Sequence, residues 1–254
     1  MTKIVFIGDS HIHSIKDALI SQLHDNVSVG DVSAYRLRKT KNGRQIGDLS
    51  LDDSTKLVGR LDSDACVVSM IGGNQHQLTS LIQHPNAFDF FSPDDSSMPN
   101  LASEIIPYNQ MERFFEELLK RNDVLRMQAL RSACRGRMFH LCPPPPKESA
   151  EHILGNHETD FAARGILDKG VSPPRLRLKT WLTQVSVLSK LTKQIGVELL
   201  PPPPTAITEN GFLAELYYAK DATHANQLYG QLILEQVSNA IEGTSNLPQH
   251  SANL

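Results

Sequence analysis

Cysteines are scarce in this sequence and long apolar runs are missing, and both absences narrow the class of protein. The 254 residues include only three cysteines, an odd number without close metal-ligand spacing, so we expect free buried thiols. No run approaches the roughly 20 apolar residues of a membrane span. The apolar stretch IVFI near the start is also too short for a signal peptide. These absences predict a cytoplasmic protein with no membrane partner.

An excess of positive charge is missing as well. Lysine and arginine number 25 against 28 aspartates and glutamates, which gives a formal net charge of -3. Nucleic acids and anionic membranes attract clustered cations, so this balance argues against both kinds of partner. Small or neutral substrates remain possible.

Short β-branched runs alternate with longer helical patterns along the chain, and this alternation predicts the fold class. Such runs indicate buried strands when turn residues bound them, and apolar residues at helical spacing indicate helices. Alternation of the two favours an α/β fold, a three-layer α/β/α sandwich around a five-stranded parallel sheet of the flavodoxin-like kind. The predicted strands are 3–7, 27–29, 65–71, 137–142 and 197–200. The predicted helices are 14–23, 54–61, 109–131, 177–194 and 225–241.

The length of the chain predicts one domain over residues 1–242, followed by a flexible polar tail over 243–254. Two stretches rich in proline, asparagine, aspartate and serine, 77–107 and 143–174, are predicted to be long irregular loops. Loops of this length in a compact domain are usually functional or disordered. Each leaves the carboxyl end of a strand, so both are expected to overhang one edge of the sheet.

Three short motifs place reactive side chains at that same edge. Ser10, in GDS, follows the first strand where the chain turns into a helix, and Asn74, in GGN, follows the third strand. Near the other end, KDATHAN places Asp221 three residues before His224 and ahead of the last helix. Acyl transfer needs a hydroxyl, a base, a group that orients the base and donors for the oxyanion, and these residues can supply all four.

The ordered set GDS, GGN and DxxH resembles the SGNH hydrolase superfamily, the GDSL-type esterases, from residue 8 to residue 224. The resemblance implies that Ser10 is the nucleophile and that Asp221 and His224 complete a catalytic triad. It also implies that the Asn74 side chain binds the oxyanion. The Ser10 N–H is a second predicted donor, because it lies at the start of a helix. His11 departs from the family, because many members have leucine at that position.

A further motif of the family supplies a glycine N–H to the oxyanion, and it is matched poorly here. Gly47 in RQIGDLS is the preferred candidate, and Gly30 and Gly43 are alternatives. Residues that flank the predicted machinery are expected to line the substrate pocket; they are Asp9, His11 and Gly73.

The resemblance implies a serine esterase or acylhydrolase that needs no metal or organic cofactor and cleaves a small-molecule or carbohydrate ester. One alternative is an O-acyltransferase that passes the acyl group to a sugar hydroxyl during polysaccharide assembly. Another is a non-catalytic binding module, which predicts that the three triad side chains do not converge. A homodimer through an exposed helix face is a further open alternative.

Overall fold

A five-stranded parallel sheet forms the centre of the computed structural model, which describes residues 2–24, 30–41, 43–95 and 97–245. The sheet order is β2–β1–β5–β8–β9, and β3–β4 and β6–β7 form separate two-stranded ladders. The strands of the described residues are β1 (Ile4–Gly8), β2 (Val32–Arg36), β3 (Lys39–Lys41), β4 (Arg44–Ile46), β5 (Cys66–Met70), β6 (Phe88–Asp89), β7 (Glu104–Ile105), β8 (Arg137–Leu141) and β9 (Glu198–Leu200).

Helices cover both faces of the sheet, with α1 and α10 on one side and α2, α4, α5 and α9 on the other. The three-layer α/β prediction is therefore confirmed. None of the described helices has the length and hydropathy needed to cross a bilayer. The helices are α1 (Ile12–His24), α2 (Leu51–Gly59), α3 (Gln75–Ser80), α4 (Tyr108–Leu119), α5 (Leu125–Ala133), α6 (Ala150–Gly155), α7 (Thr159–Ala163), α8 (Ile166–Lys169), α9 (Pro174–Gln194) and α10 (Gln227–Ser245).

The sheet buries side chains on both faces, because successive residues of a strand point to opposite sides. In β1, Phe6 packs with Tyr229 in the core under α1 and α10. Val5 and Ile7 pack into a second core on the opposite face, which includes Phe115 of α4. These two cores hold the three layers together.

The sheet order reverses between β1 and β5, and this reversal locates the edge where a ligand site is expected. From β1 the chain goes first to β2 on one side and then returns to β5 on the other side, pairing Ile4 with both Val32 and Cys66. Parallel α/β sheets bind ligands outside the carboxyl ends of strands at such a reversal. The segments that follow Gly8 and Met70 meet there.

Four predicted strands are confirmed to within one residue at each end. The prediction for 27–29 lies outside the described residues, and the second strand is instead Val32–Arg36. The predicted helix 109–131 contains a π-helical turn, Lys120–Val124, between α4 and α5. A π-helical turn keeps the apolar side chains buried while adding a residue, so sequence periodicity does not reveal it.

The two predicted irregular loops contain regular structure, which corrects that expectation. The stretch 77–107 holds the end of α3 and the β6–β7 ladder, and the stretch 143–174 holds α6, α7 and α8. These pieces span two to six residues, too short for a periodic pattern to appear in the sequence. The predicted tail 243–254 begins inside α10, which ends at Ser245, and its other residues lie outside the described ones. The single domain and the cytoplasmic location stay predictions.

Close packing of α10 on α1 gives a stability prediction. A Cβ atom at Gly230 would lie 2.0 Å from the Ser14 carbonyl oxygen, whereas a Cβ at Gly59 in α2 would meet nothing within 4 Å. Gly230→Ala should therefore lower the free energy of unfolding by about 1–3 kcal/mol, because the helices must move apart. The control Gly59→Ala should be neutral or stabilise by about 0.5–1 kcal/mol. Thermal unfolding measures both, and equal melting temperatures for the two variants would contradict the packing argument.

Candidate active site

Ser10 lies in the turn between β1 and α1, at the carboxyl edge of the sheet. The backbone just before this turn packs closely on β5. A Cβ at Gly8 would lie 2.5 Å from the Met70 carbonyl oxygen. The Asp9 N–H donates to that oxygen at 2.9 Å, and the His13 N–H donates to the Ser10 carbonyl at 3.2 Å. The Ser10 N–H lies just before the first turn of α1. Backbone N–H groups at a helix start have no preceding helical carbonyl to accept their hydrogen bond. The hydroxyl faces a cavity.

His224 and Asp221 lie beside Ser10, on the loop that precedes α10. The Ser10 hydroxyl donates to His224 Nε2 at 2.8 Å, and His224 Nδ1–H donates to Asp221 Oδ2 at 2.7 Å. The N–H groups of His224 and Thr223 also donate to Asp221 Oδ1, at 2.7 and 2.9 Å. The structure therefore brings the three predicted triad residues into one continuous hydrogen-bonded chain.

The environment of Asp221 keeps this carboxylate ionised. Burial by itself raises its pKa, but the hydrogen bond and charge of His224 and the two backbone N–H groups outweigh burial. The net result is an Asp221 pKa well below its usual range. An ionised carboxylate at Nδ1 leaves Nε2 of the imidazole free to accept the serine proton.

Lys147 supports the loop that carries Asp221. This role for Lys147 was not predicted from the sequence. Its side chain is 1% exposed, and its ammonium donates to the carbonyls of Ala219 and Asp221 at 2.7 and 2.5 Å. The Asp221 carboxylate lies 3.6 Å away. The one available signal was a lysine directly after the proline tract CPPPP, which is buried as it leaves β8.

Glu158 is a second carboxylate that the sequence did not single out. It comes from the 143–174 stretch and accepts hydrogen bonds from the Thr223 hydroxyl at 2.8 Å and the Ala222 N–H at 3.2 Å. Its Oε1 also lies 3.6 Å from His224 Nδ1. Ligand atoms of Glu158, Asp221 and His224 lie within 4.8 Å of one another, as a bound cation would require, but each is already engaged by protein groups.

Asn74 lies at the start of α3 and faces the cavity together with Ser10. Its carbonyl oxygen Oδ1 accepts a hydrogen bond from His11 Nε2–H at 2.8 Å. Because the oxygen is engaged, the Asn74 NH₂ group is the part of the amide that remains available to a ligand. This arrangement brings together Asn74 and Ser10, two of the three predicted oxyanion donors.

The third predicted donor, Gly47, does not line the cavity beside Ser10. It follows β4 with a φ of 107° and packs against the Leu37 carbonyl, where a Cβ would lie 2.5 Å from the oxygen. The next residue, Asp48, accepts a hydrogen bond from the Arg36 N–H at 2.7 Å and so holds this segment against the end of β2. A donor role for Gly47 stays a prediction.

The two alternatives to Gly47 lie elsewhere. Gly30 precedes β2, and the carbonyl of the neighbouring Asp31 pairs with the first residue of β1, so Gly30 is at the amino edge of the sheet. Gly43 sits between the antiparallel strands β3 and β4 with a φ of 73°, with nothing within 4 Å of a Cβ there. Neither position is at the end of a strand that borders Ser10.

The predicted pocket residues Asp9, His11 and Gly73 lie under the site and do not line the cavity, which corrects that expectation. The Asp9 carboxylate receives two hydrogen bonds from Arg126, each of 3.0 Å, and one of 2.7 Å from the Gly72 N–H. His11 is 3% exposed, and a Cβ at Gly73 would lie 3.7 Å from its ring. These residues support the loops because their polar atoms face the protein interior.

Arg126 links Asp9 to a second buried carboxylate, Asp123, which belongs to the π-helical turn and lies 2.7 Å from the guanidinium. Asp123 in turn accepts a hydrogen bond from the Gln75 side chain. One ion-pair network therefore supports the turn before Ser10 and the loop that carries Asn74.

The cavity in front of Ser10 and His224 has a volume of about 930 Å³. Polar and charged side chains form most of its lining, and Leu78 and Phe161 are the largest apolar contributors. Behind the lining residue His224 lies the buried His11, whose ring centroid is 4.7 Å from that of His224. Such a cavity accommodates a polar molecule of sugar size.

No protein-family model and no curated protein matches the chain. Among solved structures it is similar to a GDSL-like lipase from Bacteroides thetaiotaomicron, with 12% identity, a TM-score of 0.46 and coverage of 96% of this chain and 89% of that one. It is also similar to a carbohydrate acetylesterase from Sinorhizobium meliloti, with 10% identity, a TM-score of 0.47 and coverage of 96% and 100%. A third similar structure is an aryl esterase from M. smegmatis, with 13% identity, a TM-score of 0.43 and coverage of 94% of this chain and 99% of that one. All three are lipases or esterases, the class of protein that the motifs predict.

The position of Lys147 predicts a pH dependence of stability. Burial lowers the Lys147 pKa to about 8 in the folded protein. In the unfolded chain its pKa is about 10.4, the ordinary lysine value. Between these pH values the unfolded chain holds a proton that the folded chain has released, so this residue makes stability rise with pH. Its contribution is about 1.4 kcal/mol per pH unit in that window.

Urea unfolding of the wild type and of Lys147→Met at several pH values from 7.5 to 10 measures this effect. The variant should lack this rise with pH, and it should be less stable at every pH because two buried carbonyls lose their donor, at a cost of about 1–3 kcal/mol. Parallel stability curves for the two proteins would show that Lys147 keeps an ordinary pKa.

Proposed function

We propose that the protein is a serine ester hydrolase of the SGNH type that cleaves small polar esters through an acyl-enzyme. The observation that carries this proposal is the hydrogen-bonded chain from Asp221 through His224 to Ser10 at the edge of the cavity. A non-catalytic module was expected to leave these side chains apart. Their convergence favours an enzyme.

In the proposed reaction, the Ser10 oxygen attacks the ester carbonyl while His224 Nε2 takes the hydroxyl proton. The negative charge that develops on the carbonyl oxygen is bound by the Asn74 NH₂ group and the Ser10 N–H, with Gly47 as a further predicted donor. His224 then gives its proton to the leaving alcohol oxygen as the ester bond breaks. Water attacks the acyl-serine with the same proton transfers, which releases the acid and restores Ser10.

Asp221 has an orienting and electrostatic role in this scheme. Its ionised carboxylate holds the Nδ1–H of His224 and stabilises the imidazolium that forms during attack. Lys147 and Glu158 hold the loop on which Asp221 and His224 sit. Transfer of the acyl group to a sugar hydroxyl would use the same acyl-serine, and the acceptor then takes the place of water.

The nucleophile is tested with a fluorophosphonate probe, which forms a covalent bond to an activated serine. Wild type and the control Ser238→Ala, changed on the exposed side of α10, should gain one phosphonyl group by mass spectrometry. Ser10→Ala should gain none and should lose ester hydrolysis by about 10⁴-fold or more, because the proposed acyl-enzyme then has no serine oxygen to form on.

Phenyl acetate hydrolysis, with and without an added sugar acceptor, measures the activity of the same three proteins. The proposal fails if well-folded wild type neither reacts with the probe nor hydrolyses a short ester. Formation of an acetylated sugar in the sample that contains the acceptor would assign the transferase reaction.

A further inference from the structure

The cavity beside Ser10 has an uneven distribution of charge. Five cationic side chains and four carboxylates contribute to its lining, in a chain whose overall charge is negative. The cations come from the end of β2, from β3, from the residue after α7 and from the residue before Asp221. The cations are Arg36, Lys39, Lys41, Arg164 and Lys220, and the carboxylates are Asp17, Glu158, Asp160 and Asp221.

Three of the four carboxylates already have partners inside the protein. Asp160 pairs with Lys41 at 2.8 Å. Asp221 and Glu158 accept the hydrogen bonds of the His224 loop described above. The Lys147 ammonium also lies 3.6 Å from the Asp221 carboxylate. Asp160 and Asp221 therefore face cations within the protein, and the Glu158 oxygens are engaged by neutral donors.

Several of the cations, by contrast, have no anionic partner among the described residues. Lys39 and Lys220 are exposed at the cavity without a carboxylate within ion-pair distance. Arg36 donates to a neutral acceptor, His13 Nε2, at 2.7 Å, and its backbone N–H is held by Asp48. Burial and the charge of Arg36 both lower the pKa of His13, so near neutral pH the ring is a neutral acceptor for the Arg36 guanidinium.

We propose that the substrate ester carries an anionic group, a carboxylate or a phosphate. This group binds the cations Arg36, Lys39 and Lys220 while the ester carbonyl lies at Ser10. The inference rests on the proposed hydrolase function and names its substrate class. A guanidinium presents a planar pair of donors to two anionic oxygens, and ammonium groups add charge-assisted hydrogen bonds. An uncharged long acyl chain would instead have to cover these cations with hydrocarbon.

Three acetate esters with similar leaving groups test the charge preference. They are 3-acetoxybenzoate, 3-acetoxyphenyl phosphate and the uncharged 3-methylphenyl acetate. We expect kcat/KM to be about tenfold higher or more for at least one anionic ester at low ionic strength. The advantage should shrink in about 0.5 M salt, because salt screens exposed charges. The two anionic esters distinguish carboxylate from phosphate recognition.

Variants then locate the preference in the cavity. The double variant Lys39→Gln, Lys220→Gln should bring the ratio of anionic to uncharged kcat/KM close to one. The control Lys193→Gln, at the end of α9 and outside the cavity, should keep the wild-type ratio. The inference is overturned if the anionic esters are no better than the uncharged one, or if the double variant keeps the preference. Hydrolysis of none of the three esters would instead contradict the proposed function.

A different observation, the contact between His11 and Asn74, carries a second inference. His11 is buried, and its Nε2 can only donate to the amide oxygen of Asn74, so the proton of the neutral ring sits on Nε2. Its other nitrogen, Nδ1, is buried and has no hydrogen-bond partner among the described residues. Burial, and then the charge of His224, lower the pKa of His11 to about 3, so the ring stays neutral.

We infer that His11 is a positioning residue for the oxyanion donor. By holding the Asn74 oxygen, it fixes the amide so that the NH₂ group faces the cavity. Without this contact the amide can rotate and present its oxygen, which would repel the developing negative charge. His11 thereby acts on the transition state through Asn74 and touches no substrate atom.

A double-mutant cycle separates this role from a merely structural one. Asn74→Ala should lower kcat by about 10²–10³-fold, and His11→Leu should lower kcat by about tenfold with a small change in KM. The combined variant should be no slower than Asn74→Ala alone, because the effect of His11 requires the amide. His11→Gln, whose NH₂ group can also donate to the Asn74 oxygen, should recover much of the lost kcat.

Two outcomes would overturn the positioning role. One is an unchanged kcat in His11→Leu, and the other is a combined variant in which the two losses multiply. If His11→Leu fails to fold, the comparison of His11→Gln with wild type decides, because a glutamine that folds but gives the kcat of Asn74→Ala would contradict the inference.

Discussion

The hydrogen bond between Ser10 and His224 joins residues that are 214 positions apart, and the proposed chemistry depends on it. It forms because the sheet brings the end of β1 to the same edge as the loop before α10, and α10 packs directly on α1. The close contact of Gly230 with the Ser14 backbone sets the distance between these helices. The architecture thus places the Ser10 hydroxyl and the His224 imidazole within hydrogen-bond distance although they are far apart along the chain.

Buried ionic groups support both halves of the site from below. Arg126 ties the turn before Ser10 to the π-helical turn through Asp9 and Asp123. Lys147 performs the corresponding task for the loop of His224, with its ammonium directed at backbone carbonyls. Buried charges are stable only when they are paired and hydrogen-bonded, so these networks allow little alternative geometry in the loops they connect.

Predictions from the sequence succeeded where the signal is local. Four of the five strands were found because buried parallel strands read as short apolar runs. The turn at Ser10 and the Asp221–His224 spacing are each contained in a few residues. The short helices of the 143–174 stretch and the π-helical turn were missed, since neither is long enough to establish a period. Asp9 and His11 were expected in the pocket because they adjoin Ser10, but side chains on a turn point in different directions.

The sequence by itself determined the α/β class, the order of the main elements and the side chains available for acyl chemistry, because these follow from patterns within short segments. Only the tertiary structure decided the partners of those side chains. Glu158 reaches Thr223 across 65 positions and Lys147 reaches the Asp221 carbonyl across 74. Such contacts are set by the packing of distant segments, and no local pattern encodes the direction in which a buried polar side chain will find its partner.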